Sequence, residues 1–184
     1  MGNLLARAGF LAAAVVLATP GAFAGNVVVD GTRTISEEIV SVSAERELGD
    51  ASVANVVLAN GGGVSFTTNM TLSKTYSLDG TGVVAVAGGR RVDVSGVRLA
   101  VGAVGHVLVK RGAGTLALGG VGKAAGKRTR FIVEEGTISC NGDFWGGHST
   151  ADTNVTIDVR HGATYSHGNS HGVVGPVELT APRS

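Results

Sequence analysis

The chain has one cysteine, three prolines and eight aromatic residues among 184, and charged residues make up only 16 % of it. The lone Cys140 has no partner for an internal disulfide, so the fold must stand on burial and hydrogen bonds. Its apolar-alternating neighbourhood suggests a small buried hydrophobe. No apolar run reaches the ~20 residues that span a bilayer as a helix. Charge of one sign is also missing: 15 basic residues meet 14 acidic ones, which argues against a general nucleic-acid binder. Absent too are a Gly-x-Ser-x-Gly nucleophile turn, a Gly-Lys-Ser/Thr phosphate loop and a glycine-rich calcium repeat.

What the chain has instead is glycine, 30 residues of it, with abundant Val and Thr. The glycines lack a period of three, which excludes collagen. They occur throughout, which excludes a coiled coil, since each costs a helix about 1 kcal/mol. With 43 % apolar residues the chain can supply a core and is not disordered by composition. Many short strands joined by tight turns are expected.

The first 24 residues read as an export signal. Arg7 is the only charge before Asp30, Phe10–Ala18 is apolar, and Ala22-Phe23-Ala24 fits a small-x-small cleavage site. Cleavage between Ala24 and Gly25 leaves residues 25–184 as one domain with equal numbers of acidic and basic residues.

An internal repeat lies in the glycines. Three heptads align: Gly114–Gly120 (GTLALGG), Gly136–Gly142 (GTISCNG) and Gly162–Gly168 (GATYSHG), spaced 22 and 26 residues apart. Looser copies are Gly63–Asn69 and Gly89–Ser95. Leu116 and Leu118, like Ile138 and Cys140, stand two apart and share one face of a strand. Strands this short cannot bury enough alone, so each coil must stack on the next, about 4.8 Å away. Strands are expected near 53–59, 63–68, 83–87, 91–94, 97–101, 106–110, 114–118, 130–134, 136–140, 154–159 and 173–179. A β-sandwich is the competing architecture. Residues 36–48 carry both helical and alternating spacing, with an acidic run after Ser36, so a short N-terminal capping helix or a polar edge strand is expected there.

The segment 108–142 resembles the autotransporter-associated β-strand repeat. Lys110, Gly112, Gly114, Thr115, Leu116, Leu118 and Gly120 match its first part. Phe131, Val133, Gly136, Thr137, Ile138 and Gly142 match its second. The usual Asn-Thr-Tyr-Thr-Gly turn is replaced by Gly122–Thr129. The resemblance implies a right-handed parallel β-helix in the passenger of a type V secreted protein from a Gram-negative bacterium. It implies a non-enzymatic structural or adhesive role, secreted or at the cell surface. It also implies an outer-membrane translocating barrel as partner, although nothing after residue 143 offers that barrel's ~10-residue amphipathic strands. Without a translocator the exported chain would be periplasmic.

Charge is segregated along the chain. Arg98, Lys110, Arg111, Lys123, Lys127, Arg128 and Arg130 occur between Asp93 and Glu134 with no acid among them. Lys123, Lys127, Arg128 and Arg130 are expected on one protruding turn, able to meet an anionic glycan or a host or environmental surface by charge, or simply to solvate a loop. Phe144-Trp145 offers a surface that can stack on a sugar or plug the core. His148, His161, His167 and His171 cluster late, but the glycines around the last pair disfavour a helical zinc site. No metal and no cofactor is expected. Asp143, Asp152 and Asp158 are the carboxylates a polysaccharide-cleaving β-helix would need, and a carbohydrate-active β-helix that cleaves or binds polysaccharide is the alternative function. A thin solenoid fills its interior, so binding is expected on projecting residues around 122–130 and 144–148.

Overall fold

The computed structural model describes residues 27–94, 99–101, 106–119, 130–141, 156–167 and 177–179. The protein is a three-sided β-solenoid built almost wholly from parallel strands. Sheet A holds β1 (Val27–Val29), β2 (Thr32–Ser36), β4 (Asn55–Ala59), β7 (Thr75–Asp79) and β10 (Leu99–Val101). Sheet B stacks β3 (Ile39–Val42), β5 (Gly63–Phe66), β8 (Thr81–Val86), β11 (Val107–Arg111), β13 (Arg130–Val133), β15 (Thr156–Val159) and β17 (Val177–Leu179). Sheet C stacks β6 (Met70–Thr71), β9 (Arg91–Asp93), β12 (Thr115–Gly119), β14 (Thr137–Asn141) and β16 (Thr164–His167). Successive strands of sheet B lie 20 to 26 residues apart in register. The repeat length is therefore that expected, and the hairpin-linked sandwich is not formed.

Alternation explains which side chains enter. On sheet B, Val64, Val84, Lys110, Val133 and Val159 form one inward column. Leu108, Phe131 and Ile157 form another. Ile35, Leu58 and Leu78 rise inside sheet A, and Val92, Leu116 and Ile138 inside sheet C. All of these except Lys110 join one continuous apolar core. No strand buries much alone; the column does, at about 25 cal/mol per Å2 of apolar surface removed from water.

Three expectations need correction. No helix starts at Ser36: that residue ends β2, and Glu37 turns the corner with φ 64°. The strand reading wins over 39–42, and a 3-10 turn at Glu45–Leu48 then stands where a sheet C strand would be. Leu48 is fully buried and closes that end of the core. Second, Gly63–Asn69 is not a copy of the sheet C heptads. Its strand β5 stacks in sheet B, because inward and outward alternation is the same on every side of the coil. Third, the strands at 27–29, 32–36, 70–71, 75–79 and 164–167 fall outside the expected strand positions. The first two form an antiparallel hairpin whose Asp30-Gly31 turn has φ 47° and 69°, the conformation a two-residue hairpin loop needs.

The first coil is tied to the next by polar groups. The Glu45 carboxylate accepts hydrogen bonds from the Ser73 and Lys74 backbone N–H groups, the Ser73 hydroxyl and the Tyr76 hydroxyl. Burial opposes its charge, but these four donors together hold the carboxyl below its usual range. The Lys74 ammonium donates to Asp50 O at 2.8 Å and Val53 O at 2.5 Å.

Candidate functional site

The inside of the solenoid offers no ligand site among the described residues. The space between Phe66, Leu72, Tyr76, Val84, Val94, Leu108, Leu116 and Leu118 is about 10 Å3, at most the room of one water.

The residues proposed from sequence fall out unevenly. Lys123, Lys127, Arg128, Phe144, Trp145, Ala24 and Gly25 lie outside the described residues, as do His148, His171, Asp143 and Asp152. Arg130 opens β13, exposed, and its guanidinium donates to Asp158 Oδ2 at 2.7 Å. Asp158 is 2 % exposed, and Arg160 approaches the same oxygen at 3.8 Å. His161 is exposed. Among the described residues no group of three or more His, Cys, Asp or Glu converges to hold a metal ion. His106 Nδ1 is buried with no hydrogen-bond partner among them.

The described members of the basic band, Lys110, Arg111 and Arg130, are each engaged in space. Stacking brings residues some 23 to 28 apart together, so Arg111 meets Glu134 at 2.7 Å and Arg130 meets Asp158. Lys110 leaves the surface altogether. It is fully buried in the inward column, with its ammonium donating to Arg111 O at 2.8 Å, Gly112 O at 2.6 Å and Glu135 O at 3.0 Å. Burial pushes its pKa down to about 8, with the nearby Glu135 charge acting the other way.

Cys140 faces inward opposite Leu118 and is fully buried. Burial pushes its thiol up to about 12, against a smaller opposing effect of the Tyr165 hydrogen bond. It should behave as a core hydrophobe, not a nucleophile. In the folded protein at pH 8 a soluble disulfide reagent should titrate essentially no thiol, and in denaturant one per chain. Rapid reaction of the native protein would contradict this placement.

One outer face carries an arrangement that the heptads hold but do not advertise. On sheet C, Arg91, Thr115, Thr137 and Thr164 stand in one outward column. Thr71, Asp93, Ala117, Ser139 and Ser166 stand in the next, with Ala117 only 3 % exposed. At the end nearest β6 the face opens into a cleft of about 360 Å3 lined by Asn69, Met70, Thr71, Arg91 and Asp93. Asn69 Oδ1 accepts the Arg91 backbone N–H at 2.9 Å, and the Arg91 guanidinium lies 3.8 Å from Asp93. These residues are not singled out by the sequence analysis. The signal was the recurrence of Thr and Ser at the same outward positions.

In comparison with known proteins, no family model matches the chain, and neither a curated protein nor a solved structure matches it.

Proposed function

We propose that the chain is an exported, non-enzymatic passenger-type β-helix of a Gram-negative bacterium, secreted or held at the cell surface in a structural or adhesive role. The observation that carries this reading is the solid, continuously stacked interior, with its space of only about 10 Å3. A rod of this kind presents surface and grows coil upon coil once one end has nucleated, which suits folding after export. The residues that carry the repeat resemblance support it by their placement. Leu116, Leu118 and Ile138 fill the core, and Gly112 and Gly136 turn corners at φ 72° and 69°.

The polysaccharide-cleaving alternative loses support at Asp158, whose carboxylate is buried and engaged by Arg130 and Arg160. Anionic glycans remain the proposed partner of the basic turn, with Lys123, Lys127 and Arg128 as its charges and Arg130 engaged by Asp158. The export reading is tested by expressing the full chain in a Gram-negative host and sequencing the N-terminus of the protein recovered outside the cytoplasm. It should begin at Gly25. Recovery only in the cytoplasm with Met1 retained would overturn it.

A further inference from the structure

We propose that the outer edge of β1 takes up an extended, basic segment of a partner protein as an added strand of sheet A. This binding goes beyond the structural role above and does not depend on export.

β1 is the end strand of sheet A, and among the described residues no strand pairs its outer edge. The hairpin determines which groups stand there. A two-residue loop is closed by a hydrogen-bonded pair, here Val29 and Thr32. Bonded and non-bonded pairs alternate along an antiparallel ladder, so Val28 and Arg33 form a non-bonded pair. The Val28 N–H and C=O therefore point away from β2, along the open edge. The side chains add apolar surface. Val27, Val28 and Val29 are 53 %, 53 % and 60 % exposed, and the strand contains none of the lysine or proline that blunts an edge. A strand laid beside β1 gains both Val28 backbone bonds and covers the three valines. This is the strand-addition mode of peptide recognition.

Charge selects the occupant. Asp30 is exposed at one end of β1. Because β2 runs antiparallel to β1, the exposed Glu37, just after Ser36, stands past the other end. Residues 27–54 carry six acidic residues against Arg33 and Arg46, a formal charge of −4. A second copy of the chain is a poor occupant for two reasons. Pairing two β1 strands about a twofold axis at Val28 would turn the Asp30 end of each copy towards the Glu37 end of the other, like charge against like. Three residues of edge also fall well short of the roughly 800 Å2 per partner that a stable dimer buries. A strand with an apolar centre and lysine or arginine at its ends meets both carboxylates with opposite charge. Its affinity is modest, because few groups are engaged, and falls with salt.

The test is fluorescence anisotropy of two labelled, end-blocked heptapeptides titrated with the full chain. Both have valine at the three central positions with threonine on either side. One ends in lysine at both termini, the other in glutamate. At low salt the lysine-ended peptide should bind at least about tenfold more tightly, and the gap should narrow at physiological salt. Asp30→Asn with Glu37→Gln should shrink that preference to less than about twofold. Val28→Pro removes the outward N–H and no hairpin hydrogen bond, so it should weaken binding about tenfold or more with the β spectrum retained. N-methylating the three central amides of the peptide attacks the same bonds from the ligand side. It should abolish binding to the wild type, and it decides the matter if Val28→Pro loses the β spectrum. The proposal is overturned if the lysine-ended peptide fails to bind at millimolar concentration, or if N-methylation leaves its binding intact. Sedimentation of the chain alone showing a dimer that Val28→Pro dissociates would make a second copy the occupant and equally overturn it.

Discussion

Replacing Gly136 by alanine should cost more than 4 kcal/mol of stability, enough to unfold the coils around it. Gly136 sits at φ 69°, the left-handed region that costs an L side chain roughly 1–2 kcal/mol. That is the smaller part. A Cβ there would stand 2.4 Å from Gly112 O, 2.5 Å from Gly114 O and 2.8 Å from the Ala113 carbonyl carbon. All three belong to the backbone of the coil beneath, so no rotamer change relieves the clash. The two coils must separate, and with them the pairing of β12 with β14. Gly162 provides the control one coil on. Its φ is 77°, yet a Cβ there meets nothing within 4 Å among the described residues, so Gly162→Ala should cost only the left-handed penalty, about 1–2 kcal/mol. Urea titrations of both variants followed by circular dichroism decide the matter. Similar midpoints for the two would mean that close stacking at Gly136 is not what the glycine is for.

The same three heptads show how much of the stack is legible beforehand. The 22-residue spacing of Gly114 and Gly136 predicts Thr115 over Thr137, Leu116 over Ile138 and Leu118 over Cys140, and these are the pairs formed. Both strands begin with Gly-Thr and carry two inward residues, so only one register buries both. The next step slips by one residue. Aligning Gly136 with Gly162 would set Ile138 against Thr164, but Ile138 pairs with Tyr165. A hydroxyl-bearing β-branched residue inside would bury less than the ring of Tyr165, which packs on the core instead. Gly89–Ser95 slips likewise, with Val92 under Leu116. Glycine spacing thus locates corners, whereas the inward apolar residue decides the register.

Polar residues were harder to place, for a geometric reason. In a solenoid the neighbours that matter lie one coil away, so a run of like charges along the chain carries no information about its partners. Arg111 and Arg130 look unopposed in sequence and are opposed in space. The cleft is hidden for the same reason: Asn69, Thr71, Arg91 and Asp93 lie on consecutive coils some 20 residues apart.

Lys110 is the largest departure from the sequence reading, and its removal has the second large expected effect. It occupies an inward position between Val84 and Val133, where alternation alone calls for an apolar residue. The stem fills the column and the ammonium satisfies three carbonyls at the sheet B to sheet C corner, two from its own coil and Glu135 O from the next. Hydrogen bonds to a charged group contribute about 1.5–3 kcal/mol each at most, and the cost of desolvating the ammonium offsets part of that. Lys110→Met keeps the stem and loses the three donations. At pH 7 it should destabilise the protein by about 2–4 kcal/mol. The pH dependence gives a second, independent reading. The folded pKa is lowered to about 8 from 10.5, so between those values the unfolded chain binds the proton more tightly than the native one. Stability from this group therefore rises as pH climbs from 8 towards 10.5 and is lowest below 8. Cys140 and Tyr76, both with raised values, act in the opposite direction at high pH, so the wild type alone does not report Lys110. The difference between wild type and Lys110→Met does, because both carry the other two groups. By pH 10 that difference should widen by about 2–3 kcal/mol over its value at pH 7. A constant difference across the range would mean that the ammonium is as well solvated in the fold as outside it, and that its three carbonyl partners fully replace water.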